Sequence, residues 1–194
     1  VTPPSIALVY FSATGHAARL AAAVREAAGA RVRVLEHRIT GADIVAGRFV
    51  NAAALERVDA AQAVVFGCPT FMGGPAAEFK AFADASSDRW SRQAWRDKLA
   101  AGFTVGTCAN GDQGHTLAYF TVLAAQHGML WCNLDLPGGE DPQGRNRLGT
   151  QVGVVAQAAS DGVDPHDLLT AAHLGHRVAE WVVRLAGGVP SAGG

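Results

Sequence analysis

The sequence predicts an α/β protein with a doubly wound, five-stranded parallel sheet and helices on both faces. Short apolar runs recur at 6–11, 62–67 and 99–107, nearly continuous in each case, as in strands buried on both sides. The stretches between them carry apolar residues three and four apart, the spacing of one-sided helices. Strands that alternate with helices pair in parallel. The loops 12–16, 68–75 and 107–114, after strands one, three and four, are rich in Gly and small polar residues. Ligands of such sheets sit beyond the carboxyl ends of the strands, so three such loops can surround one ligand.

Taken in order, the first strand stops at Ser12-Ala13-Thr14-Gly15, and a helix follows over 16–28. Ala17, Leu20, Ala21, Val24 and Ala28 share one face of it, and Gly29 ends it. Residues 31–37 alternate, which reads as a second strand nearer an edge. A short helix is predicted over 51–57. The third strand runs into Cys68-Pro69-Thr70-Phe71-Met72-Gly73-Gly74-Pro75, with Pro75 placed at the first position of a helix reaching Asp84. Trp90 and Trp95 bracket a polar connection before the fourth strand. A helix with Leu117, Phe120, Leu123 and Ala124 on one face then ends near His127-Gly128. The fifth strand is predicted over 129–136, and 137–150 form a long Gly/Pro-rich loop read as a lid or partner surface. Asp164 caps the last helix, Pro165 opens it, and it runs to about Ala186. The expectation is one domain over 1–194, with 187–194 a frayed tail.

The turn after the first strand carries the first chemical signal. Its two hydroxyls and one glycine lead into a helix start, where unpaired N–H groups and the helix dipole favour an anion. An ordinary capped connection is the alternative reading of this stretch. No Gly-x-x-x-x-Gly-Lys-Ser/Thr run is present, so a nucleoside triphosphate site is unsupported, and no Gly-x-Gly-x-x-Gly run indicates a dinucleotide. The turn has no Lys, and Arg19 is the Arg near it. Hydroxyls and amides without a full counter-charge suit one phosphate monoester. Flavin mononucleotide (FMN) is such a ligand.

Bulk properties narrow the class. The chain of 194 residues is 49% hydrophobic and 17% charged, with a net charge of −1. That argues against a nucleic-acid binder working through a basic surface and differs from a strongly acidic, charge-docked electron carrier. Cys68, Cys108 and Cys132 are widely spaced, so neither a disulfide framework nor a zinc site is suggested. No apolar stretch reaches the length of a membrane span. Val-Thr-Pro-Pro-Ser at the amino end lacks the features of a secretory signal, and a cytoplasmic location is expected.

Phe11-Ser12-Ala13-Thr14-Gly15-His16, Gly67-Cys68-Pro69-Thr70-Phe71-Met72-Gly73, Lys98-Leu99-Ala100 and His127-Gly128-Met129 occur in the order and spacing of one family. The chain resembles the flavodoxin-like NAD(P)H:quinone oxidoreductases, most nearly the tryptophan-repressor-binding-protein (WrbA) type, over about residues 5–185. The resemblance implies a flavodoxin-like fold, FMN as cofactor and NAD(P)H as co-substrate. Ser12, Ala13, Thr14, Gly15, His16 and Ala17 match the turn that holds the FMN phosphate. Pro69, Thr70, Phe71, Met72 and Gly73 match the loop beside the ribityl chain and ring. Thr107, Cys108, Ala109, Asn110, Gly111 and Asp112 fall in the loop near the ring's polar edge. His127 matches a His that borders the substrate pocket. Three departures stand out: Ala17 where flavodoxins often have Thr, Phe71 where near relatives have Arg or Tyr, and a third loop about one residue longer. Relatives are often dimers or tetramers, so a homo-oligomer with no nucleic-acid or membrane partner is expected.

The implied chemistry is hydride transfer from a nicotinamide to the flavin and onward delivery to a small quinone-like acceptor. Backbone amides of 68–74 and 107–114 would stabilise charge on the reduced ring, and Phe71 and Met72 would line the acceptor slot. Trp131 is a further lining candidate, though its place in a predicted strand favours the core. His127 is either a proton donor to the acceptor or a helix-end His on the last carbonyls. Asp167, His173 and His176 could suggest a metal face, but with no second cluster a solvated helix surface is the better reading. Cys68 reads as a small buried side chain rather than a redox thiol. Asn110 and Asp112 are either ring contacts or plain turn residues. Two other classes remain open: a flavodoxin-type electron carrier, and a reductase that supplies reduced FMN to a partner oxygenase.

Overall fold

A computed structural model describes residues 3–160 and 162–187. In chain order the elements are β1 (Ser5–Phe11), α1 (His16–Gly29), β2 (Arg33–Ile39), β3 (Ile44–Val45), β4 (Arg48–Phe49), α2 (Ala52–Ala60) and β5 (Ala63–Phe71). There follow β6 (Gly74–Pro75), α3 (Ala77–Ala85), α4 (Ser87–Ser91), β7 (Leu99–Gly106), α5 (Gln113–Gln126), β8 (Leu130–Trp131), β9 (Val154–Ala159), β10 (Gly162–Val163) and α6 (Pro165–Gly187). The main sheet runs β10-β9-β7-β5-β1-β2, with β8 also on β7 and β6 on β5. Its central pairings are parallel, and β6 and β10 add short antiparallel edges. Strand order reverses between β1 and β5, which opens a crevice above their carboxyl ends. The predicted fold class is therefore the observed one.

Period-two alternation explains why β1 is apolar throughout. Ile6, Leu8 and Tyr10 enter one core with Leu20 and Val24 of α1 and Leu174 and Val178 of α6. Ala7, Val9 and Phe11 enter the other, with Val58 of α2, Phe79 and Phe82 of α3, and Phe120 of α5. Every residue of β1 is buried, the signature of a strand covered on both faces. On the second face the rings of Phe79 and Phe120 lie 4.7 Å apart, tilted by 57°, and Phe49 packs edge-on to Phe82 at 5.5 Å. Lys98, just ahead of β7, donates to the carbonyls of Asp59 and Ala61 at the end of α2, a cation on the negative helix end.

Two expectations need correction. The first is the fifth strand, predicted over 129–136. The structure divides that position: β8 pairs with Leu99 and Ala100 at the foot of β7, and β9 pairs with Phe103 to Gly106 at its top. Between them 132–153 leave the sheet. Cys132, Leu134 and Leu136 are buried in alternation and so imitate a strand. Their polar neighbours, however, bond to α6 and not to the sheet: Asp135 to His173 and Arg177, and the Asn133 carbonyl to Arg177. The buried run Val154, Val155 and Ala156 takes the vacated position.

The second correction concerns 68–75. Strand β5 continues through Phe71 and folds back as a hairpin onto β6, so Pro75 pairs with Thr70 and does not open a helix. Met72 and Gly73 form the two-residue tip, with φ of 48° and 78°, the signs of a type I′ turn. Helix α3 starts two residues after Pro75, behind Ala76. Trp95, which closes the polar connection, is fully buried, and its indole N–H donates to Asp59 at 2.6 Å.

The loop read as a lid is tied down. Asn146 is buried, its amide N–H accepted by Thr170 of α6 at 2.8 Å and its side chain donating to the Leu136 carbonyl. Arg147 forms a two-pronged pair with Asp167 of α6, both contacts at 2.9 Å. The last helix opens as expected, with Asp164 accepting from the His166 amide at 2.9 Å. Of the predicted tail, Gly187 closes α6, and 188–194 lie outside the described residues.

Helices α1 and α6 approach so closely that a Cβ at Gly175 would meet the Val24 carbonyl oxygen at 2.5 Å. Overpacking a close contact of this kind costs about 1–3 kcal/mol. Gly175→Ala is accordingly expected to lower the urea midpoint by that equivalent with an unchanged m-value, measured by circular dichroism.

Candidate functional site

The site begins where β1 hands over to α1. Ser12 is buried, and its hydroxyl accepts the Ala18 N–H at 3.1 Å from inside the first helical turn. Gly15 occupies the cap position with φ 95° and offers no side chain to the helix. Only glycine takes that conformation without strain. Thr14 Oγ1 lies 3.0 Å from His16 Nδ1. Among the described residues no acceptor within the chain meets the N–H groups of Thr14, Gly15, His16 or Ala17. A helix start left with open donors is an anion site. From β2, Arg38 donates to the Ser12 carbonyl at 2.8 Å.

A cavity of about 230 Å³ sits over this turn. Ser12, Ala13, Thr14, His16 and Ala17 line one side, and Pro69, Thr70 and Phe71 another. Val105, Gly106, Thr107 and Ala158 complete it. Its walls are mostly small and apolar, with polar groups at the anion end. Ala17 is one of those small walls, so the missing hydroxyl leaves space. A ligand the size of FMN needs more than about 300 Å³, so its remainder would extend over the exposed loops beside the cavity.

Those loops are held from beneath. The Thr70 hydroxyl turns inward to Thr104 and Thr116, both at 2.8 Å, and Thr104 donates to the Cys68 carbonyl. Beyond it Phe71 is 49% exposed and Met72 entirely so, an apolar tip standing free beside the cavity. In the third loop Thr107, Cys108, Ala109, Asn110 and Asp112 are exposed. Buried Gln113 bridges the loop, accepting from the Gly111 amide at 2.6 Å and donating to the Cys108 carbonyl. Asp112, at φ 60°, precedes α5, and its Cβ lies 3.9 Å from where a Cβ on Gly73 would stand. The second and third loops therefore lie side by side.

His127 is not brought to this site. It follows α5, whose opposite end adjoins the third loop, and 14 residues of helix separate the two by roughly 20 Å. The ring is buried, stacked on Trp95 at 4.3 Å, and its Nε2 lies 2.9 Å from the Ser86 hydroxyl. Ser86 already donates to the Ala83 carbonyl, so Nε2 carries the proton and Nδ1 is a buried lone pair with no partner among the described residues. Neither a proton donor to substrate nor a ligand of the last helical carbonyls matches that environment. Trp131 also stays at the foot of the sheet, opposite Ala100, with its N–H on the Val152 carbonyl. Cys68 is buried and its thiol is pushed up to about 12 by that burial, which keeps it protonated. Asp167 and His173 are engaged separately, with Arg147 and with Asp135. Among the described residues no three metal-binding side chains converge.

Comparison with known proteins decides the family. The model of the NADPH-dependent FMN reductase family matches residues 11–134, a span that includes all three loops. The chain belongs to that family. It is 39% identical over 158 residues to "Flavodoxin FldP" of Pseudomonas aeruginosa, covering 79% of this chain and 81% of that protein. It is 29% identical over 200 residues to an "NAD(P)H dehydrogenase (quinone)" of Deinococcus radiodurans, covering 95% and 98%. The crystal structure of a flavodoxin, WrbA-like protein from Agrobacterium tumefaciens superimposes with a TM-score of 0.74 at 37% identity, over 93% of this chain and 98% of that one. The expectations of a flavodoxin-like fold, an oxidoreductase, FMN and NAD(P)H are borne out at the level of the family.

Several lining residues were not read from the sequence. Ala158 lies on β9, which went unrecognised; Gln113 and Gln157 brace the third loop, Gln157 by donating to the Thr107 carbonyl at 3.2 Å. Arg38 was legible in principle, since the end of a neighbouring parallel strand must lie beside the end of β1.

Burial pushes the His127 pKa down to about 4 from an ordinary 6.5. The fold therefore holds the neutral ring, and its contribution is complete above pH 6.5 and lost as pH falls toward 4. The expected loss is on the order of 3 kcal/mol. Urea titrations at several pH values should show this slope in the native protein and its absence in His127→Phe, which keeps the Trp95 stack.

Proposed function

We propose that the protein is an FMN-dependent NAD(P)H oxidoreductase that passes electrons from a reduced nicotinamide to a quinone-like acceptor. The observation that carries this reading is the sharing of one cavity by an open anion cradle and the loops of β5 and β7 at the strand switch point. The residues fit the cofactor. The amides of Ala13 to Ala17, with Thr14 and His16, would hold the phosphate, and Pro69 to Gly73 and Thr107 to Asp112 would flank the ring. Bound FMN supplies a ring that accepts a hydride and releases electrons.

The chain's own groups do the rest. Main-chain donors of the second and third loops would lie beside a ring bound there and would favour its reduced state. Braced from below by the threonine chain and Gln113, they need little rearrangement on binding. Exposed Phe71 and Met72 offer a flat, apolar contact suited to a planar acceptor. Homo-oligomerisation, a cytoplasmic setting and a partner role for 137–150 belong to the same reading. No described helix is long and apolar enough to cross a membrane.

A second reading, a flavodoxin-type carrier, is favoured by the 39% identity to FldP. A third, release of reduced FMN to a partner oxygenase, follows the family's description. One preparation separates them. Purified without added flavin, the protein should emerge yellow, be bleached by NADH or NADPH in a stopped-flow mixer, and recover its colour on a quinone chase. Retained flavin with no nicotinamide-driven bleaching would select the carrier, and loss of flavin on gel filtration the free-flavin reductase. A colourless preparation that gains no spectrum with FMN would sink all three. Replacing Gly15 by Val forces a branched residue to φ 95° and should weaken FMN binding roughly tenfold, measured by fluorescence titration.

A further inference from the structure

We infer that Arg38 is a positioning residue for the phosphate end of the cofactor, setting the first peptide of the cradle and supplying its missing positive charge. This rests on the phosphate reading of residues 12–17. The turn itself carries no Lys or Arg, so a phosphate dianion held there by amides and hydroxyls alone would lack a counter-ion. Arg38 stands on the adjacent parallel strand, paired in register with Tyr10, and its Nη2 donates to the Ser12 carbonyl at 2.8 Å.

Two consequences follow from that bond. A trans peptide holds its C=O and N–H on opposite sides. Drawing the Ser12 carbonyl to Arg38 therefore turns the Ala13 N–H the other way, and Ala13 lines the cavity. The same bond removes an electronegative oxygen from the anion's surroundings and polarises the peptide toward better donation. Second, the guanidinium charge is not cancelled nearby. Among the described residues no carboxylate lies within ion-pair distance of Arg38. The closest acidic neighbour on its strand, Glu36, is committed to the Tyr10 hydroxyl at 2.9 Å and to Arg25 at 3.0 Å. Lysine at this position would keep the charge but not the fixed geometry of the guanidinium donor.

The test compares FMN with riboflavin, which has the same ring and ribityl chain but no phosphate. Full-length native protein, Arg38→Gln and Arg38→Lys are titrated with each flavin by fluorescence quenching at several salt concentrations. Native protein should prefer FMN, and Arg38→Gln should lose roughly 10- to 100-fold in FMN affinity, the range for a bond to a charged group. Riboflavin binding should stay within about twofold in that variant, which also reports that it is folded. Arg38→Lys should recover part of the FMN preference and its salt dependence. If native protein binds both flavins alike, the phosphate cradle itself fails and the inference with it. If native protein prefers FMN and Arg38→Gln keeps the whole preference, the cradle stands and the role of Arg38 is overturned. Equal losses for FMN and riboflavin in Arg38→Gln, or no recovery in Arg38→Lys, would likewise overturn it.

Discussion

The site depends on main-chain donors left open at the start of α1. A helix that begins directly at the end of a buried strand must satisfy its first N–H groups with something. Ordinarily a Ser, Thr, Asp or Asn at the cap does so. Here the cap is Gly15, bent into the left-handed region, and the hydroxyl of Ser12 reaches past it to Ala18. Among the described residues the amides between have no acceptor within the chain, and their turn lines the cavity. The sheet gives this turn its setting, because its neighbours in space are the ends of β5 and β7, whose loops close over the same point.

Around that opening the molecule is stiff by construction. Thr70, Thr104 and Thr116 satisfy one another in a short chain beneath the second loop, and Gln113 fastens the third. Such buried polar groups are stabilising only when each has a partner, and these do. A contact path also leads outward: Thr107 to Gln157, the Gln157 amide to Asp167, and Asp167 to Arg147 in the long connection. Burial pushes the Asp167 carboxyl above its ordinary range even with Arg147 beside it. The segment between β8 and β9 is thereby joined to the site by hydrogen bonds as well as by chain.

The apolar elements stand in contrast. Phe71 and Met72 are exposed at the tip of a hairpin whose conformation suits Asn and Gly better than Met at the first position. A large, exposed, strained apolar residue next to a cavity is a feature that folding alone does not favour. His127 shows the reverse case: a residue type suited to proton transfer, spent on packing against Trp95 and Ser86.

Much of this was legible from local order. Buried strands declare themselves through unbroken apolar runs, as in 6–11 and 99–107, and helices through their spacing, so the sheet class and the three loops followed. The open helix start was legible too, since Ser12 to Ala17 are six consecutive residues. What the chain order concealed were relations between distant segments. The alternation of 129–136 matches a strand, and only the bonds of Asn133 and Asp135 to α6 show why the sheet takes 154–159 instead. The hairpin that claims Pro75, the burial of His127 and the reach of Arg38 to Ser12 are likewise set by partners 5 to 41 positions away. Periodicity and turn chemistry are written in neighbouring residues and can be read there. Which of two adequate strands wins, and which side chain meets a carbonyl, depend on the packing of the whole.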